Sequence, residues 1–202
     1  MPQAGFFPRF GIFVRPGFLP PELCGRIIAE MTESASVRAT VGKQDGNYVI
    51  DERIRKASFA DVAAETVENA DARFDRLRPE LASYFQVPLQ RHQRLQFLHY
   101  RTGDLYAPHR DSRSDPSGAA ISRERKVSVV VFLNGQSEQA LDGTFAGGSL
   151  TFYGLMKAPG MEKAGMPLAP EAGLLVAFRS DIMHEVSPVT RGERYTLVSW
   201  FA

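Results

Sequence analysis

Cysteine is almost missing from this chain. Its single one, Cys24, excludes an internal disulfide and fits a reducing, cytoplasmic setting. Cys24 stands beside Leu23 and Ile27 in an expected helix, where a buried, inert thiol is the plain reading. Long apolar runs are missing too: none approaches the roughly 18 residues that a membrane-spanning helix needs. The first 18 residues are broken by Pro2, Gly5, Pro8, Arg9 and Pro16, so no apolar core of a signal peptide is expected there. Charge of one sign is not in excess. Lys and Arg number 24 against 23 Asp and Glu, a net charge of +1, which makes no electrostatic case for nucleic acid or an anionic membrane. Repeats and low-complexity segments are absent. Histidine is scarce, at four residues: His92, His99, His109 and His184.

What is present suits one folded unit over 1–202, with 44% hydrophobic residues to bury. The alternation of Ile12, Val14 and Phe18 predicts a short strand over Gly11 to Phe18. Pro20-Pro21-Glu22 opens a helix, because proline is tolerated in a first turn and a carboxylate favours its positive end. Leu23, Ile27, Ile28 and Met31 continue it at helical spacing. A loop or irregular strand is expected over Ser34 to Tyr48. A second helical stretch runs from Asp61 to Phe85, with Pro79 expected to kink or split it.

From Leu95 the texture becomes β. Strands are expected over Leu95 to Tyr100, Lys126 to Leu133, Ser149 to Tyr153, Gly173 to Phe178 and Arg194 to Phe201, separated by Gly- and Asp-containing turns. Several short strands with such turns indicate a sandwich or barrel rather than a parallel α/β sheet. The residues 1–94 read as a strand and supporting helices, and 95–202 as the β core. Ser112 to Arg125 and Lys157 to Pro170 read as long loops suited to shaping access to a barrel mouth.

His109-Arg110-Asp111, with the distant His184, carries the chemistry. Residues two apart in a strand project to one side, so His109 and Asp111 can grip one ion. Two imidazoles and one carboxylate form the three-ligand face of a non-haem Fe(II) site, with the remaining positions open. Arg194 lies in a strand that is apolar on both faces, so its guanidinium needs an anionic partner. That partner is either an internal acid such as Glu193 or Glu185, or the far carboxylate of a bound diacid, which its planar fork matches. With the triad, the diacid reading points to oxygen chemistry driven by 2-oxoglutarate. Tyr100 is placed either to donate to such a carboxylate or simply to end a strand. Arg110 should point away from the metal, and Arg125 begins the Val-rich strand near the mouth. Both are candidate substrate contacts, as well as ordinary solvated charges. Together with Arg113 and Arg123, Arg125 favours a carboxylate-bearing substrate. His99 should face the opposite side from Tyr100, and it reads, like His92, as structural.

Four stretches in order resemble the 2-oxoglutarate/Fe(II)-dependent dioxygenase superfamily, and within it the prolyl 4-hydroxylase-like group. They are Tyr100 to Asp111 (YRTGDLYAPHRD), Val131 to Asn134, Phe145 to Phe152, and Phe178 to Phe201. Phe18-Leu-Pro and Arg55-Lys56-Ala-Ser are similar in layout. The resemblance implies a double-stranded β-helix, a jelly-roll or cupin-like barrel with N-terminal helices backing its larger sheet. It implies iron on His109, Asp111 and His184, 2-oxoglutarate anchored by Arg194, and Tyr100 and Trp200 as further co-substrate contacts. Some members carry Tyr where this chain has Phe132, so a second phenol is not expected here. Asp111, which related halogenases lack, argues for hydroxylation. The activity implied uses Fe(II), 2-oxoglutarate and O2, with ascorbate as reductant, to hydroxylate an unactivated C–H bond of an amino acid, a proline-like peptidyl residue or a small metabolite. Succinate and CO2 are released. A cupin-like metal-binding or sensor protein without oxidative turnover is the alternative; it would keep the ligands but have no need of Arg194.

Overall fold

The computed structural model describes residues 5–42, 48–112, 120–139, 141–156, 160–161 and 163–202. A 3-10 turn at Phe7–Phe10 leads to strand β1 (Phe13–Arg15) and helix α1 (Pro21–Glu33). Short strands follow: β2 (Val37–Arg38), β3 (Val41–Gly42), β4 (Tyr48–Val49), β5 (Arg55–Lys56) and β6 (Ser58–Ala60). Helix α2 (Ala64–Phe85) precedes β7 (Gln96–Tyr100) and β8 (Leu105–His109). A helical turn, α3 (Ala120–Arg123), leads to β9 (Val127–Phe132), β10 (Ala146–Gly147), β11 (Leu150–Phe152) and β12 (Met166–Leu168). The last four strands are β13 (Leu175–Arg179), β14 (His184–Val186), β15 (Val189–Arg191) and β16 (Arg194–Phe201).

Seven strands form the larger sheet, in the order β1-β13-β9-β16-β7-β6-β2. Five form the smaller one, β12-β11-β14-β8-β5. The two sheets face each other as the halves of a double-stranded β-helix. Alternation decides what each face sees. In β9, Val127, Val129 and Val131 pack with α1 and α2 on the outer side. Val130 and Phe132 point inward, toward Leu150, Phe152, Met166 and Val186 of the smaller sheet. A strand buried on both faces must be apolar throughout, which is why this stretch reads VSVVVF. The larger sheet is thus the middle layer, with helices on one side and the interior shared with the smaller sheet on the other.

Helix α2 seats Ala70, Phe74, Leu77, Leu81 and Phe85 on that outer face. It runs through Pro79 as one 22-residue helix rather than splitting. The proline removes one backbone hydrogen bond, and the apolar stripe on both sides of it stays seated on the sheet. β1 is shorter than its alternation predicts, because Gly11 and Gly17 take positive φ and end the extended stretch. The expected loop over Lys157 to Pro170 contains β12, an edge strand whose Met166 and Leu168 pair with Phe152 and Leu150. Ser112 to Arg125 contains α3, while Arg113 lies outside the described residues. No described helix is long and apolar enough to cross a membrane.

Phe74 is fully buried between Phe18, His92 and Phe201. Phe74→Ala is expected to cost about 3–5 kcal/mol. In urea unfolding this appears as a lower midpoint with an unchanged slope.

Candidate metal centre and anion pocket

β8 and β14 pair antiparallel with His109 directly opposite His184. Residues opposite each other project to the same face, so both imidazoles enter the cavity, and their rings lie 4.3 Å apart. Asp111 falls beyond the end of β8, in a bend rather than in the strand itself. It still projects to the same side as His109. His109 Nε2 is 3.5 Å from Asp111 Oδ1, and His184 Nε2 is 3.5 Å from Asp111 Oδ2. The three ligand atoms lie within 4.8 Å of one another.

The tautomers are set by the backbone. His109 Nδ1 bonds the Ala107 carbonyl and His184 Nδ1 the Ile182 carbonyl, each at 2.9 Å. A carbonyl only accepts, so Nδ1 carries the proton and Nε2 presents a lone pair to the shared point. Burial, reinforced by repulsion from His109, pushes the His184 imidazole down to about 4, so it is neutral and ready to ligate at physiological pH. Burial alone would raise the Asp111 carboxyl. His184, His109 and the nearby Trp200 N–H outweigh burial and hold it well below the usual carboxylate range. The indole N–H acts at long range and completes no standard hydrogen bond of its own. Two imidazole nitrogens and one carboxylate around one point are a donor set that fits Fe(II).

A β-bulge gives this centre a neighbour that simple alternation does not place. Two steps along β14, from His184 to Val186, oppose three steps along β8, from His109 to Tyr106. The extra residue brings Tyr106 round to the face of His109, where the two rings stack 3.5 Å apart at 16°. Burial raises the Tyr106 hydroxyl to about 12, so it remains a hydrogen-bond donor.

Arg194, at 1% exposure, opens β16 on the inner face of the larger sheet, opposite Tyr100 of β7. Its guanidinium carbon lies 5.0 Å from the rings of both Tyr100 and Phe132 and 6.0 Å from that of Phe145. One nitrogen donates to Thr196 Oγ1 at 3.3 Å, while the buried Nε has no partner. Burial lowers the guanidinium to about 10, which leaves it charged at neutral pH. Among the described residues no carboxylate lies within ion-pair distance of it. The internal acids open to it in sequence are engaged elsewhere. Glu193 accepts from the Tyr195 hydroxyl at 2.5 Å, and Glu185 from the Tyr153 hydroxyl at 2.7 Å. A buried, charged and unmatched guanidinium is a standing demand for an anion.

Its position is tightly framed. Asn134 donates to the carbonyls of Gly143 and Glu193 and accepts from the Tyr195 N–H, which fixes the backbone on both sides of Arg194. Gly148, at φ +58, leaves room for the arginine stem; a Cβ there would lie 3.1 Å from Arg194 Cδ and 3.0 Å from Val189 Cγ2.

The remaining candidates separate. Trp200 lies on the inner face six residues from Arg194, about 20 Å along an extended strand. It therefore belongs to the Asp111 end of the cavity rather than to the Arg194 end. Arg125 stacks on it, with its guanidinium carbon 3.6 Å from the ring centroid and Nε bonded to Gln93 at 3.0 Å. Arg110 is exposed and turns away from the triad to donate to the Asp181 carbonyl. Arg123 is exposed. His99 faces the helix side, stacked 4.5 Å from Tyr195, and His92 is buried against Phe74 and Phe201. Sequence reasoning singled out neither Tyr106 nor Gly148. The Gly147-Gly148 pair was a visible signal for the second; nothing in the spacing announced the bulge behind the first.

Residues 95–202 match the family model described as the 2OG-Fe(II) oxygenase superfamily. Among curated proteins, the chain is 22% identical to probable prolyl 4-hydroxylase 7 of Arabidopsis thaliana, over 98% of this chain and 64% of that protein. It is 24% identical to probable prolyl 4-hydroxylase 3 of the same plant, over 93% of this chain and 68% of that one. It therefore spans about two thirds of the length of these relatives. Among solved structures, a Pseudomonas putida prolyl-4-hydroxylase superposes with a TM-score of 0.67 at 26% identity, covering 96% of this chain and 94% of the other. A prolyl hydroxylase from Trichoplax adhaerens, in complex with a hypoxia inducible factor oxygen degradation domain peptide fragment, has a TM-score of 0.70 at 18% identity, over 96% and 84% of the two chains.

Two outcomes are expected. Gly148→Ala should push Arg194 out of place and weaken binding of a dicarboxylate such as 2-oxoglutarate about tenfold, roughly 1.4 kcal/mol, measured by calorimetry on the metal-loaded protein. The second concerns pH. An unfolded histidine titrates near 6.5, and His184 in the folded protein near 4. Between these values the unfolded chain holds the extra proton, so stability of the metal-free protein is full above about 6.5 and falls as pH drops toward 4. Urea midpoints across that window should fall, and His184→Asn should flatten the slope.

Proposed function

Because the chain belongs to the 2OG-Fe(II) oxygenase superfamily, we propose that it is an Fe(II)- and 2-oxoglutarate-dependent hydroxylase. It acts on an unactivated C–H bond of an amino acid, a proline-like peptidyl residue or a small metabolite. The curated relatives named as probable prolyl 4-hydroxylases support the proline-like choice. The whole of 1–202 serves as one dioxygenase domain, in which 95–202 form the catalytic core and 1–94 its support.

His109, Asp111 and His184 would hold the iron, which would supply, with 2-oxoglutarate, an oxidation that puts one atom of O2 into the substrate C–H bond and the other into succinate, with loss of CO2. The chain's own work is positional. Backbone carbonyls fix the tautomer of the two imidazoles and keep their Nε2 atoms aimed. Arg194 binds the distal carboxylate of 2-oxoglutarate, and Tyr100, directly opposite it, faces the same group. Thr196 steadies one guanidinium nitrogen. Trp200 supports Asp111 from the far side, and Arg125, stacked on Trp200, faces the substrate. Arg110 points outward and meets substrate only at the rim. The apolar walls, among them Phe152, Phe178 and Val186, exclude water from the reacting atoms.

One observation carries this reading: a buried arginine with no carboxylate partner among the described residues, on an inner face of the barrel that also holds a three-ligand metal set. A metal-binding barrel without oxidative turnover would leave that arginine's burial uncompensated.

Arg194→Gln is expected to weaken 2-oxoglutarate binding about a hundredfold, roughly 2.7 kcal/mol, while metal affinity stays within about twofold. His109→Ala should lose the metal instead. Calorimetric titration of each ligand separates the two effects, and succinate release with Fe(II), O2 and ascorbate should vanish in both variants. Equal 2-oxoglutarate affinity in Arg194→Gln and wild type would overturn the assignment.

A further inference from the structure

A second buried arginine lies on the same inner face as the triad. β5 pairs with β8 so that Arg55 stands opposite Tyr106. Opposite residues share a face, and Tyr106 is the residue that the bulge stacks on His109. Arg55 therefore sits one strand beyond the metal ligands, across the smaller sheet and away from Arg194.

Its surroundings are those of a receptor rather than of a structural ion pair. Arg55 is 8% exposed. Its guanidinium carbon lies 4.8 Å from the Tyr106 ring and 5.2 Å from the Phe59 ring, which hold it in an aromatic clamp. One nitrogen donates to the Thr40 carbonyl at 3.2 Å; the buried Nε has no partner. Among the described residues no carboxylate lies within ion-pair distance. The nearby acids serve other cations: Asp104 takes Lys56 and Arg38, Glu52 takes Arg38, and Asp51 takes Arg53. A guanidinium left charged, buried and short of an acceptor is matched by an anion that arrives with a ligand. Two such arginines, one on the inner face of each sheet, call for two anions. The co-substrate supplies one.

We propose that Arg55, clamped by Phe59 and Tyr106, receives a carboxylate of the primary substrate, so that the hydroxylated molecule is an anionic one. The assignment rests on the co-substrate reading of Arg194, which leaves Arg55 for the other ligand. Gln96, on the same inner face as Leu98, keeps a buried side-chain oxygen without a donor and suits an N–H on that same substrate. The source of the carboxylate is either the α-carboxylate of a free amino acid or an acidic side chain of a peptide.

Arginine Nε–H signals in the full chain, loaded with Zn(II) as a diamagnetic substitute and saturated with 2-oxoglutarate, test this by NMR. Arg55→Lys identifies the Arg55 signal by its loss. Acetate is expected to move that signal and saturate, whereas acetamide is not. L-proline should bind at least about ten times more tightly than L-prolinamide, because only the acid forms a charge-assisted pair. Arg55→Lys should narrow that preference. Tighter binding of L-proline than of N-acetyl-aspartate N-methylamide assigns the α-carboxylate; the reverse order assigns a peptide side chain. An Arg55 signal unmoved by acetate, L-proline and the aspartate amide alike overturns the proposal. The Arg194 signal reports separately: if 2-oxoglutarate fails to move it, the co-substrate reading fails on its own.

Discussion

The pairing of β8 with β14 is the constraint on which this centre depends. It puts His109 opposite His184 and so brings the two imidazoles together. The backbone then does the finer work. Each Nδ1–H is held by a carbonyl two residues earlier in its own chain segment, at Ala107 and at Ile182. The ligand orientation is therefore a property of local chain geometry as well as of the cross-strand register. Asp111 needs no strand of its own, because a residue in the bend two positions beyond His109 still reaches the same point.

Burial of charge is the second theme. Three ionisable groups at the heart of the barrel (His184, Asp111 and Arg194) are each shifted by burial and by their neighbours. Asp111 finds compensation from the histidines. Arg194 finds aromatic faces and one hydroxyl, which do not replace an anion. Stability and function pull in opposite directions at that residue, and the aromatic cage, Gly148 and the Asn134 clamp hold it in place. An arginine free to relax toward Glu193 would gain an ion pair and lose its aim.

The N-terminal segment contributes in two unlike ways. Helices α1 and α2 close the outer face of the larger sheet. The short β5 and β6 instead extend the two sheets and bring Arg55 and Phe59 to the inner face. A segment that looks like support in the sequence thus also furnishes part of the cavity wall.

The sequence by itself determined the two long helices, the main strands of the core, the triad and the arginine of the last strand. Those are readable because strand alternation and ligand chemistry are local: residues two apart share a side, and histidine, aspartate and arginine are rare in apolar strands without a reason. β16 was legible to the residue, with Arg194, Thr196, Val198 and Trp200 on one face. Other features depended on pairing between distant segments. Tyr106 reaches His109 only through a bulge defined against β14, and β12 is a strand only because Leu150–Phe152 offers it a partner. Pro79 stays within one helix because the sheet beneath holds both halves. Arg55 becomes an inner-face residue through its register with Tyr106, about fifty positions later in the chain. Register, bulges and the choice of which buried charge goes unmatched are set by contacts across the fold, and no window along the chain contains them.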